Sequence, residues 1–127
     1  LIPSKLFLQT YIARDAARYW HDPSFDCAPV WKDIEISPLI DVFFTTILPQ
    51  TNVLEKLETV RCPIFLAAGM SDYDCCPFLW AEVPNLPPHM VISIFHASGH
   101  WPHYEEADLF DTRIEKWLEK IVATTAH

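Results

Sequence analysis

Phe95-His96-Ala97-Ser98-Gly99-His100-Trp101-Pro102 is the stretch on which the reading of this chain turns. The apolar run from Met90 to Phe95 stops at a small Ser-Gly step and is followed by a histidine. A buried strand that delivers His100 to the edge of a sheet has that pattern. Upstream, Cys62 to Ala68 has the same character, and Gly69-Met70-Ser71-Asp72 follows it. It reads as a second buried strand, with Pro63 tolerated at its first residues and a turn at its end. About twenty residues join the two runs, enough for a right-handed crossover through Pro77 to Val83, so the strands are predicted to be parallel neighbours. Ligands collect at the carboxyl ends of such strands, and each end here is followed by an ionisable side chain.

An aspartate and a histidine at adjacent strand ends are two members of a Ser-His-Asp relay. In that relay the acid fixes the imidazole tautomer and the imidazole takes the proton of the nucleophile. Gly69-Met70-Ser71-Asp72 after a buried strand, then Ser98-Gly99-His100-x-Pro102-x-x-Glu105 before an amphipathic helix, resembles the carboxy-terminal half of an α/β-hydrolase. That family has the chain order nucleophile, acid, histidine. The text from Arg14 to Asp26 resembles the cap region of proline iminopeptidase-like members, so the resemblance covers nearly all of the chain. It implies an α/β fold: a helical cap segment over residues 1–50, then the last parallel strands and helices of the core over 51–127. It also implies His100 as general base and acid, and Asp72 as its orienter, three residues beyond Gly69.

The chain has 127 residues, whereas an α/β-hydrolase usually needs about 250 or more, near the upper end of ordinary domain sizes. Its two glycines, Gly69 and Gly99, do not bracket a serine, so the Gly-x-Ser-x-Gly elbow that carries the nucleophile is missing. A first residue of Leu1 rather than Met favours a processed, nicked or truncated product over a complete translation product. The preferred arrangement is a cleaved two-chain hydrolase whose serine lies on an N-terminal half, the expected partner of this chain.

Formal net charge is −8 and the nine Lys and Arg are scattered, which argues against a nucleic-acid or anionic-membrane surface. Apolar residues make up 50% of the chain, with five tryptophans; that is too rich for disorder and predicts that much of the surface is covered. No apolar run approaches the ~20 residues of a membrane span. Four irregularly spaced cysteines, Cys27, Cys62, Cys75 and Cys76, are unlike a secreted disulfide framework and favour a reducing, cytoplasmic compartment. The vicinal pair Cys75-Cys76 reads as two small residues in a turn, with redox sensitivity as the rarer alternative.

Periodicity predicts a helix over Pro3 to Tyr19, a loop over His21 to Glu35, and a helix from Pro38 to Leu48 with Ser37 as N-cap and Pro49 as its end. The second helix is apolar almost all round and must be covered on more than one side. Asn52 to Glu55 is predicted to make a capping box, and Asp108 to Val122 an amphipathic helix packed on the sheet. Ala123 to His127 should fray.

Asp74 is the spare for Asp72, and an ordinary Asx-turn is the structural alternative for either. A metal site from His96, His100, His103 and Glu105 is disfavoured, because a strand end and a Pro-containing turn do not bring ligands together as one helix face does. His103 and Glu105 more naturally tie down the start of the last helix. No metal and no cofactor is therefore predicted. Tyr19, Trp20, Phe25 and Trp31, with Tyr73 beside Asp72, are candidates to line an apolar substrate pocket; the cap aromatics would serve equally well to fill the cap-to-core interface. An aminopeptidase needs an acid for the substrate ammonium, for which Asp22, Asp26, Asp33 and Glu35 are candidates; an esterase, lactonase or amide hydrolase does not. A non-catalytic binding or scaffold relative that kept the fold and lost the nucleophile is the alternative of a different class.

Overall fold

A computed structural model describes residues 18–33, 37 and 39–125 of the chain. The helix expected from Pro3 lies outside the described residues except for its helical end at Arg18 and Tyr19, and so do Glu35 and Pro38. The order is α1 (Ala28–Trp31), α2 (Leu39–Val42), α3 (Val53–Leu57), β1 (Ile64–Gly69), β2 (Met90–Phe95), α4 (Pro102–Glu105) and α5 (Ala107–Thr125). Together they make helices around a small parallel sheet, in keeping with part of an α/β fold.

The two strands pair in parallel, with Ile64 opposite Met90 and Gly69 opposite Phe95. β1 starts two residues later than the apolar run suggests, because Pro63 has no N–H to donate. The ladder is continued at its start by Ile64 N–H to the His89 carbonyl (3.1 Å) and past its end by Met70 N–H to the Phe95 carbonyl (2.7 Å). The crossover is a 3₁₀ helix, Pro77–Glu82, rather than an α-helix. Six residues between Pro77 and Pro84 are too few to repay the nucleation of a longer one.

Phe95 is fully buried and stacks, tilted, on Phe110 of α5 (5.9 Å). Phe65 meets Trp117 (5.5 Å) one heptad further along α5. The apolar stripe of α5 thus lies on one face of both strands. Arg113, between those two rings in the sequence, donates to the Ile94 carbonyl (2.6 Å) and to Ser93 Oγ (3.0 Å). Its guanidinium sits 4.6 Å from the centre of the Phe95 ring. Backbone groups alternate sides along a strand. Since His89 and Phe95 carbonyls face β1, the Ile94 carbonyl faces the outer edge of β2, where Arg113 meets it.

The predicted helix from Pro38 to Leu48 changes type along its length. α2 gives way to a π turn over Phe43–Ile47 and a 3₁₀ turn over Leu48–Gln50. Pro49 is the physical cause: it cannot donate and its ring crowds the carbonyl four residues back, so the coil widens and Leu48 N–H reaches the Phe43 carbonyl. Ser37 Oγ accepts from Leu39 N–H (3.3 Å), and Asn52 Oδ1 accepts from Glu55 N–H (3.3 Å) at the start of α3. Leu39 and Phe44 are 73% and 57% exposed, so this segment finds no cover among the described residues.

Arg113→Ala should cost about 2–3 kcal/mol in urea unfolding, because it leaves the Ile94 carbonyl unpaired and removes a charged donor. Arg113→Lys should recover part of that loss but not all, since an ammonium lacks the planar fork. A change within 0.5 kcal/mol for Arg113→Ala would show that the edge contact contributes nothing.

Candidate active site

The carboxyl ends of β1 and β2 approach each other backbone to backbone. A Cβ on Gly69 would collide with the carbonyls of Ser98 and Gly99, and a Cβ on Gly99 would collide with the backbone of Tyr19. Neither glycine has positive φ, so space, not conformation, demands glycine here. Through these approaches Ser71 N–H donates to the Ser98 carbonyl (2.9 Å) and His100 N–H to the Tyr19 carbonyl (2.6 Å).

Within this frame Asp72, 6% exposed, uses its two oxygens differently. Oδ1 accepts from the amides of Asp74 and Cys75, both at 2.9 Å. Oδ2 lies 2.8 Å from His100 Nδ1. An ionised carboxylate only accepts, so Nδ1 carries a proton, and in the neutral imidazole that leaves the lone pair on Nε2. The Asx-turn and the orienting role, alternatives in the sequence, occupy separate oxygens of one side chain. Asp74 is turned outward, where it pairs with Arg18 (3.2 Å) and accepts from the Tyr19 hydroxyl (3.3 Å).

Two consecutive glutamates hold the loop that carries His100. Glu105 accepts from Gly99 N–H and from His21 N–H, each at 2.7 Å. Glu106 accepts from Ala97 N–H (2.9 Å) and from the hydroxyl of fully buried Ser98 (2.7 Å). Glu105 therefore secures the loop rather than only the helix start, and Glu106 went unrecognised in the sequence because its partners lie eight and nine residues back with no repeating spacing. His103 makes ring contacts with Trp101 and Phe110. Neither His103, His96 nor Glu105 gathers with His100 into a group of metal donors among the described residues.

The aromatic candidates divide. Tyr19 meets His100 edge-on at 5.4 Å. Trp20 is buried, packed on Phe25 (4.4 Å) and Tyr104 (5.7 Å), and Trp31 meets Trp101 (5.7 Å). Trp20 and Trp31, with Val30, Trp101, His103 and Tyr104, line a cleft of about 210 Å³. Phe25 does not line that cleft, and Tyr73 is 74% exposed. Of the acids considered for an ammonium, Asp22 accepts from both the hydroxyl and the amide of Ser24, and Asp26 from Ala28 N–H. The Ser24 hydroxyl, then its amide, hold the Asp22 carboxyl below the usual range. Partial burial, with the charges of Asp72 and then Asp74, pushes the Cys75 thiol up; at neutral pH it is a thiol, not a nucleophile.

Gly69→Ala should abolish the downfield proton resonance of His100 Nδ1, as Asp72→Ala should, because either change separates the two strand ends. Glu106→Ala should cost about 1–3 kcal/mol by leaving the buried Ser98 hydroxyl unpaired. Persistence of the resonance in Gly69→Ala would show that the backbone approach does not set the pair.

The chain is 31% identical over 120 residues to the AB hydrolase superfamily protein YclE of Bacillus subtilis. The match takes in 93% of this chain, which spans 42% of the length of that relative. No family model and no solved structure matches the chain. The sequence similarity and the parallel strand pair thus liken this chain to part of an α/β-hydrolase superfamily protein.

Proposed function

We propose that this chain is the cap and carboxy-terminal core of a cofactor-free serine hydrolase, proline iminopeptidase-like by resemblance, that cleaves an ester or amide of a small, largely apolar substrate. The observation that carries the proposal is the contact of His100 Nδ1 with Asp72 Oδ2 at 2.8 Å, beyond the carboxyl ends of two parallel strands. With Nδ1 protonated and held, Nε2 accepts the proton of an attacking serine and later returns it to the leaving group. The cleft beside Trp101 suits a small apolar acyl or prolyl group.

The serine belongs to an N-terminal half not contained in this sequence. Among the described residues, Ser98 is buried against Glu106 and Ser71 pairs with His21 Nδ1 (2.8 Å), and no serine hydroxyl bonds to His100. The same half would continue the sheet beyond β1, which pairs on one side only among the described residues, and cover the exposed face around Phe44. Parallel sheets are stable when extended and covered. No helix among the described residues is long and apolar enough to cross a membrane, and a cytoplasmic setting fits the unpaired cysteines.

In the assembled protein, His100→Ala and Asp72→Asn should each lower turnover of a generic ester by about 10⁴-fold, while Asp74→Asn changes it by less than about fivefold. A crippling Asp74→Asn would overturn the acid assignment. Exhaustive chelation should leave hydrolysis unchanged, and a fluorophosphonate should abolish it by labelling a serine outside these residues. Labelling within residues 1–127 would refute the location of the nucleophile. Expressed alone, the chain should bind a hydrophobic dye and aggregate; a monodisperse, cooperatively unfolding monomer would refute the need for the other half.

A further inference from the structure

The turn after β1 places a third donor beside the His100–Asp72 pair. A nitrogen of His100, a carboxylate oxygen of Asp72 and the sulfur of Cys75 all lie within 4.8 Å of one another. Bonds of about 2.0–2.3 Å put the ligand atoms of a tetrahedral zinc ion roughly 3.3–3.7 Å apart. Asp72 and His100, 2.8 Å apart, need to part by about half an ångström, and the sulfur of exposed Cys75, no more than 4.8 Å from either, to turn inward by about one at most. The supporting shell exists already: Asp72 Oδ1 is fixed by two amides, one of them the amide of Cys75 itself. Asp72 and the backbone of Cys75 are thus tied into one turn, and the carboxylate is oriented by the kind of outer-shell contact that orients metal ligands.

We propose that Asp72, Cys75 and His100 form an inhibitory site for a soft divalent cation of the zinc type, with water as the fourth ligand. Thiolate and imidazole together select such a cation over magnesium or calcium. The balance is simple. The metal takes the place of the proton between Nδ1 and Asp72, and that proton moves to Nε2. The Cys75 thiol gives its proton to solvent, one per ion bound. Nε2 then has no lone pair for the serine proton, and the relay is switched off. The inhibition rests on the hydrolase reading, whereas the binding does not.

The test uses the assembled protein with cobalt as a spectroscopic probe and zinc as inhibitor. Cobalt should give a near-ultraviolet thiolate charge-transfer band in the wild type and in Cys76→Ala. The band should be lost in Cys75→Ala, which keeps the backbone amide, and in His100→Ala. No band, or one that survives Cys75→Ala, would overturn the site. Saturating zinc should lower ester hydrolysis at least tenfold in the wild type and less than twofold in Cys75→Ala, whose metal-free activity is unchanged. Equal inhibition of both would overturn the switch. If the metal-free wild type hydrolyses nothing, the hydrolase reading fails, while the cobalt band still decides the site.

Discussion

Three backbone segments meet with no side chain between them: the end of β1 at Gly69, the loop at Gly99 and the stretch through Tyr19 and Trp20. Everything at the carboxyl edge of the sheet depends on that approach. The two glycines of the chain are both spent here, at positions where even a methyl group would meet a carbonyl. Because the contact is between backbones, it sets the separation of Asp72 and His100 through hydrogen bonds of fixed geometry. It is not set through flexible side chains, each of which would cost rotamer entropy to hold.

Carboxylates then do the local work, Asp72 and Glu105 by dividing their oxygens and Glu106 by taking two donors on Oε2. Asp72 gives one oxygen to the turn and one to the imidazole. Glu105 gives one to the loop and one to the amide of His21. A buried carboxylate is tolerable only when its lone pairs are met, and here the donors are mostly main-chain amides, whose charge-assisted bonds are among the stronger ones available. The segment through His21 is thereby fastened to the same loop that carries His100.

Much of this was legible in the sequence. The run from Met90 to Phe95 is the strand, residue for residue, because a Ser-Gly step leaves no doubt where the apolar pattern ends. The strand β1 starts two residues after the apolar run does, since apolar pattern alone does not register that Pro63 lacks a donor. The π turn at Phe43–Ile47 was hidden for a related reason: Pro49 was read as a stop, but its steric effect reaches back a full turn. The pair of Asp72 with His100 was visible because family-like motifs place both at strand ends. Glu106 and the sulfur of Cys75 were not, because their neighbours come from loop closure, and loops carry no period.

The cation that Arg113 sets at the Ile94 carbonyl has a consequence for how the molecule can be built. The outer margin of β2 already has that hydrogen-bond acceptor occupied and a guanidinium beside it, and an inward-pointing charge of this kind repels an added strand. β1 has no such guard among the described residues. Among the described residues, therefore, the two margins of the sheet are not equivalent: a helix that follows β2 in the chain closes one of them, and the flank of β1 stays open.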